Sequence, residues 1–196
     1  MSHWSRTSTI VVVLLLAAIA LALGASLHSL AVDDAYITFR YARNLVSGHS
    51  LTYNTGRPVL STTAPLYAIF LAFTSIFYSN IPFLANVASA AFLLAGALLL
   101  FRLGGQEQDP WTGALASLFF ITFPLLWLSL GLETAAFLAL SLGAVAAYTR
   151  GRPLWTGALL ALATLTRGDG LIPVSYTHLT LPTTIKPCWS GGWRGR

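Results

Sequence analysis

The chain alternates long uncharged apolar runs with short polar breaks, and run length is its clearest signal. Five runs suit membrane-crossing helices: roughly 9–30, 82–101, 111–130, 134–149 and 154–166. A hydrocarbon core about 30 Å thick asks for about 20 helical residues. A sixth run, 65–79, is short for a crossing and suits a helix lying at the interface. Between the first run and this one, residues 33–47 show a different period. Asp33, Tyr36, Arg40 and Arg43 or Asn44 recur at steps of three and four. That spacing predicts a helix with one polar stripe and an apolar side, closed by Gly48 as a C-terminal cap, lying along the membrane surface. Asn54-Thr55-Gly56-Arg57-Pro58 then reads as a turn.

The pattern predicts an all-α, polytopic helical membrane protein, and composition agrees. Hydrophobic residues make up 56% of the 196 and charged residues 9%, against roughly 25% charged in soluble domains. The net charge of +5 does not point to nucleic acid, because the eleven basic residues are scattered and form no stripe. One cysteine, Cys188, rules out an intramolecular disulfide framework and a cysteine-rich metal site. The first run is too long for a usual signal-peptide core, so it is expected to stay as a span.

The placement of charge sets the expected orientation. If 65–79 does not cross, Arg102, Arg150 and Arg152 share the cytoplasmic side with Arg6, as the positive-inside rule favours. Asp33, Asp34, Glu133 and Asp169 then gather on the other side. Trp111, Trp127 and Trp155 fall near run ends, where an aromatic belt is expected. After Val174 the apolar period stops, and residues 174–196 read as a tail foreign to the native protein.

Asp33 and Asp34 follow directly on the first apolar run, so they sit at the boundary of lipid and water. A carboxylate at mid-bilayer costs roughly 2.5–3.5 kcal/mol, whereas here it is cheap and still beside lipid. A substrate that is half lipid and half polar suits that position. The plainer reading makes Asp33 a helix N-cap, a role worth about 1 kcal/mol that needs only one carboxylate. Arg40 and Arg43 read either as anion ligands or as side chains snorkelling to headgroups. Glu133 reads as a site acid or as a span end, and Arg167 with Asp169 as a site pair or a turn salt bridge. His28 and His49 read as incidental.

The stretch Asp33–Tyr67, with Asp-Asp-Ala-Tyr-Ile-Thr-Phe-Arg-Tyr-Ala-Arg-Asn-Leu, Gly-His-Ser-Leu-Thr-Tyr-Asn-Thr-Gly and Thr-Thr-Ala-Pro-Leu-Tyr, resembles the GT-C superfamily of membrane glycosyltransferases. It is most similar to the terminal arabinofuranosyltransferase-like and related polyprenyl-phosphate-sugar enzymes. Gly131-Leu132-Glu133-Thr134 and Leu165-Thr166-Arg167, followed by Asp169-Gly170, resemble two later patterns of that group. Gly168 stands where the family usually has proline, and Leu60 where many relatives carry an acid. The likeness covers about 8–173, and relatives are longer, so an N-terminal module of such an enzyme is expected, with interfacial helices in a periplasmic first loop.

The resemblance implies a polyprenyl-phosphate-linked sugar as donor and a glycan, lipid or protein hydroxyl as acceptor. It places the protein in the cytoplasmic (inner) membrane, multi-pass, with its active face outside. It makes Asp33 and Asp34 catalytic and assigns Glu133 to acceptor or metal. Transfer with inversion needs a base for the acceptor proton, a role an ionised aspartate fills. The departing phosphate needs cations, for which Arg40, Arg43 and Arg57 are near in sequence. Tyr36 and Arg167 complete the expected substrate-binding set, and Asp33, Asp34 and Glu133 are the expected ligands should Mg²⁺ or Mn²⁺ take part. The alternatives are a transporter or lipid-sugar flippase, and an inactive structural fragment.

Overall fold

A computed structural model describes residues 6–27, 32–54, 62–106 and 110–167. Among these every regular element is helical: α1 (Arg6–Leu27), α2 (Asp33–Val46), α3 (Pro65–Ser75), α4 (Ile81–Gln106), α5 (Pro110–Thr122), α6 (Pro124–Leu128), α7 (Thr134–Thr149) and α8 (Pro153–Thr166). Proline opens α3, α5, α6 and α8, the one helical position where its missing N–H costs nothing. Asn80 starts α4 by accepting the Phe83 N–H at 3.2 Å. Gly48, at φ +79°, follows α2. Gly48 N–H bonds Leu45 O and His49 N–H bonds Asn44 O, the paired bonds of a Schellman ending.

Among the described residues three helical stretches are long and apolar enough to cross a membrane: α1, α4 and the combined Trp111–Leu128. At 1.5 Å per residue α4 is about 39 Å long, but α7 and α8 reach only about 24 and 21 Å. Those two therefore fall short of the crossing length expected from their apolar runs. The stretch expected as one helix over 111–130 is broken at Phe123, which is extended (φ −67°, ψ 115°) ahead of Pro124. Steric conflict with the proline ring forces that conformation. The Trp127 indole N–H is donated to the Ile121 carbonyl across the break. Trp127 is thus 3% exposed and built into the core, whereas Trp111 and Trp155 are exposed as belt residues would be.

Helix α4 is the centre. Gly24 of α1 lies against Ala90, Gly113 of α5 against Gly104, Leu142 of α7 near Gly96, and Leu159 of α8 near Gly143. With Leu16 packed in one core with Leu93 and Ala97, Phe120 near Gly96, Leu99 near Gly143 and Arg167 reaching Thr134, these contacts run α1 and α5 antiparallel to α4, α7 parallel to it, and α8 back along α7. One core joins α1, α4, the α5–α6 segment and α7 through Leu16, Leu93, Ala97, Ile121, Trp127 and Ala135. A second joins α2, α3, the head of α4 and the first turn of α7 through Ala35, Phe39, Tyr67, Leu71, Ala85 and Ala136. Many apolar side chains outside these cores face outward: Leu14, Leu21, Phe119 and Leu154 are 62%, 73%, 70% and 87% exposed. A surface so apolar belongs against lipid rather than water.

Candidate functional site

The two cores divide the charged residues between two ends. Arg6, Arg102, Arg150 and Arg152 lie at the end where α4 finishes, and among the described residues no acid accompanies them. Asp33, Asp34, Arg40, Arg43, Glu133 and Arg167 lie at the other. Their convergence follows from the Gly131 turn, which packs directly on α2. A Cβ placed on Gly131 would lie 3.3 Å from Phe39, 3.5 Å from Ala35 and 3.3 Å from Asn86 Oδ1. Glu133 is therefore two residues from a point touching the first turn of α2. Arg167 reaches the same turn, Nη1 donating to Thr134 Oγ1 at 3.4 Å. Arg57, Asp169 and the 174–196 tail lie outside the described residues.

Asp33 and Asp34 do not cap α2. The cap is Val32, which offers no side-chain hydrogen bond, and both acids occupy the first turn of the helix. Carboxylates are favoured there by the helix dipole, yet remain exposed. Successive helical residues point about 100° apart, so the two acids face different ways. Asp33 lines a polar groove of about 390 Å³ with Tyr36, Arg40, Arg43, Asn44 and Tyr53, while Asp34 lies outside that lining. Among the described residues neither Arg40 nor Arg43 forms an ion pair with Asp33, so acid and bases share a wall without neutralising one another. Along the axis Asp33 and Arg40 stand roughly 10 Å apart.

No three carboxylate, imidazole or thiol groups gather to hold an ion among the described residues. Mg²⁺ is commonly held by one or two carboxylates completed by substrate phosphates.

Two polar residues of α4 escape a reading based on charge. Asn86 and Ser89 are 6% and 1% exposed, one helical step apart in an otherwise apolar run. That spacing is the signal that could have found them. The Gly131 N–H is donated to Ser89 Oγ at 3.2 Å, which ties the Glu133 turn to α4. Tyr67 of α3 is buried beside them, its hydroxyl lacking a hydrogen bond. Burial pushes its phenol up to about 12; the Ser89 hydroxyl, too loosely placed to bond it, opposes the rise, and the Glu133 carboxylate adds to it. Tyr67 therefore stays neutral at any physiological pH.

A second hollow, about 580 Å³ and almost wholly apolar, lies between α1 and the head of α4. Ala20, Leu21, Gly24, Val87 and Ala90 are among its walls. Pro82 borders the polar groove and Phe83 and Asn86 the apolar one, so the two meet across one turn of α4.

Compared with known families, curated proteins and solved structures, the chain matches no family model, no curated protein and no solved structure.

Proposed function

We propose that this chain is a polytopic membrane glycosyltransferase module of GT-C type, moving a sugar from a polyprenyl-phosphate donor to an acceptor hydroxyl. The reading rests chiefly on one observation: a carboxylate that forms no ion pair among the described residues and two guanidinium groups share a groove that adjoins an apolar hollow. An anionic amphiphile matches both halves. In the proposed reaction Asp33 accepts the proton of the acceptor hydroxyl as that oxygen bonds to the anomeric carbon. The bond from that carbon to the phosphate oxygen breaks, and Arg40 and Arg43 take up the charge left on the phosphate. The spacing of Asp33 and Arg40 leaves room for a sugar ring between base and cation. Asp34 orients the acceptor, and Tyr36, Glu133 and Arg167 border the substrate.

The proposed setting is the cytoplasmic (inner) membrane, with the Asp33 end outside and the end that carries Arg6, Arg102, Arg150 and Arg152 in the cytoplasm. α2 and α3 lie at the interface. α3, about 16 Å long, is too short to cross, and exposed Phe73, Ile76 and Phe77 at its end meet lipid.

Reconstituting the protein in vesicles with a radiolabelled polyprenyl-phosphate sugar and a glycan, lipid or peptide acceptor tests the reading. Label is expected in the acceptor. Label that only changes leaflet would make the protein a flippase, and label that stays on the donor would make it a structural module.

A further inference from the structure

The chain does not leave α2 after its Schellman turn; it folds back along it. Asn44 holds the reversal at three points. Its carbonyl accepts the His49 N–H at 3.0 Å. Its side-chain amide donates to the carbonyls of Thr52 at 2.7 Å and Tyr53 at 3.1 Å. Thr52 is buried, and its hydroxyl is donated to Ser50 O at 3.2 Å. Tyr53 is thereby laid on α2, 6.0 Å from the buried ring of Tyr41.

The result is a seat for Arg40. Its guanidinium carbon stands 4.5 Å above the centre of the Tyr53 ring. Its Nη2 is donated to Asn54 Oδ1 at 3.5 Å, the outer limit of a hydrogen bond. Both partners are neutral. A carboxylate would hold the side chain and cancel its charge; an aromatic face holds it and leaves the charge for a ligand. Arg43, one turn further on, has no comparable seat among the described residues. A flexible arginine must be ordered when it binds, and ordering it beforehand removes that cost.

We infer that Asn44 and Tyr53 are positioning residues that set Arg40 as the principal anion-binding group of the groove, with Arg43 secondary. The inference rests on the proposed transferase reading only for the identity of the anion, a polyprenyl phosphate. Neither residue touches the reacting atoms; each acts through Arg40.

The test is binding to the full chain in nanodiscs, with farnesyl phosphate, farnesol and inorganic phosphate as probes. Tyr53→Leu and Asn44→Ala are expected to weaken farnesyl phosphate by roughly 3- to 10-fold, the range of one partly exposed cation–π contact plus lost ordering. Farnesol affinity is expected to stay constant, and Tyr53→Phe, which keeps the ring, to bind as wild type. Unchanged phosphate binding in both variants, equal losses of phosphate and alcohol, or a Tyr53→Phe defect matching Tyr53→Leu would overturn the inference while leaving the transferase reading intact. Wild type showing no preference for farnesyl phosphate over inorganic phosphate, with Tyr53→Leu still weakening the latter, would sink the lipid-donor reading and keep the inference. Binding of neither phosphate by wild type would overturn both.

Discussion

Replacing Gly131 by alanine probes the contact that brings the Glu133 turn onto α2. Gly131 has φ +85°, and its added methyl would meet Asn86 Oδ1 and the Phe39 ring at 3.3 Å each. The left-handed backbone costs an L-residue about 1–2 kcal/mol. Crowding in a packed site adds about 1 kcal/mol or more, and the stiffer unfolded chain returns about 0.4–1 kcal/mol. The net is a loss of about 2 kcal/mol. For a chain of this size that is a fall of about 4–8 °C in Tm, read by near-ultraviolet circular dichroism in one detergent. Gly151 supplies the control, since it is also left-handed (φ +64°) but has nothing within 4 Å of its added methyl. Gly151→Ala should lose the backbone part alone, about half as much. Equal shifts in the two variants would refute the packing of the turn on α2 and the convergence built on it.

Further outcomes follow from other parts of the structure. In a Cys188→Ser background, a cysteine at Tyr36 should react with an impermeant thiol reagent from outside the cell, and one at Arg150 only after the membrane is opened; the reverse pattern would overturn the proposed orientation. Ser89→Ala leaves the buried Gly131 N–H without its acceptor and should cost about 1–3 kcal/mol, whereas Tyr67→Phe removes a hydroxyl that has no partner and should be nearly neutral. Because burial raises the Tyr67 phenol to about 12, stability is independent of this group below pH 10 and falls as pH climbs from 10 towards 12, when only the unfolded chain gives up the proton, by up to about 2–3 kcal/mol. Tyr67→Phe should remove that part of the alkaline decline in denaturant stability, and an unaltered decline would contradict the burial. Gly104→Ala would drive its methyl into the Gly113 backbone and should separate α4 from α5, lowering Tm by more than Gly151→Ala does.

What could be read from the residues was what local period and run length encode. The polar stripe of α2 and its glycine ending are properties of sixteen consecutive residues, Asp33 to Gly48, and the helix lies where that stripe does. The start of α7 after Glu133 and its end before Gly151 are likewise marked locally. Run length misled at Pro124, because Phe123-Pro124 is as apolar as its neighbours and only backbone sterics reveal the break. It misled again at Trp127, whose burial depends on the carbonyl that the break leaves at Ile121. The site was legible as types, acids and arginines at one end, but not as an arrangement. That Asp33 lines the groove while Asp34 lies beyond it follows from the angle between successive helical residues. The seat of Arg40 needed the return of the chain from Ser47 to Asn54. No local pattern announces that Tyr53 will lie under an arginine thirteen residues earlier.

The most direct measurement is transfer of labelled sugar by Asp33→Asn and Asp34→Asn, each at wild-type membrane level. General-base catalysis is typically worth about 10²–10⁴ in rate. Asp33→Asn should lose transfer on that scale while still binding farnesyl phosphate, and Asp34→Asn should lose less. Transfer by Asp33→Asn at the wild-type rate would contradict the account.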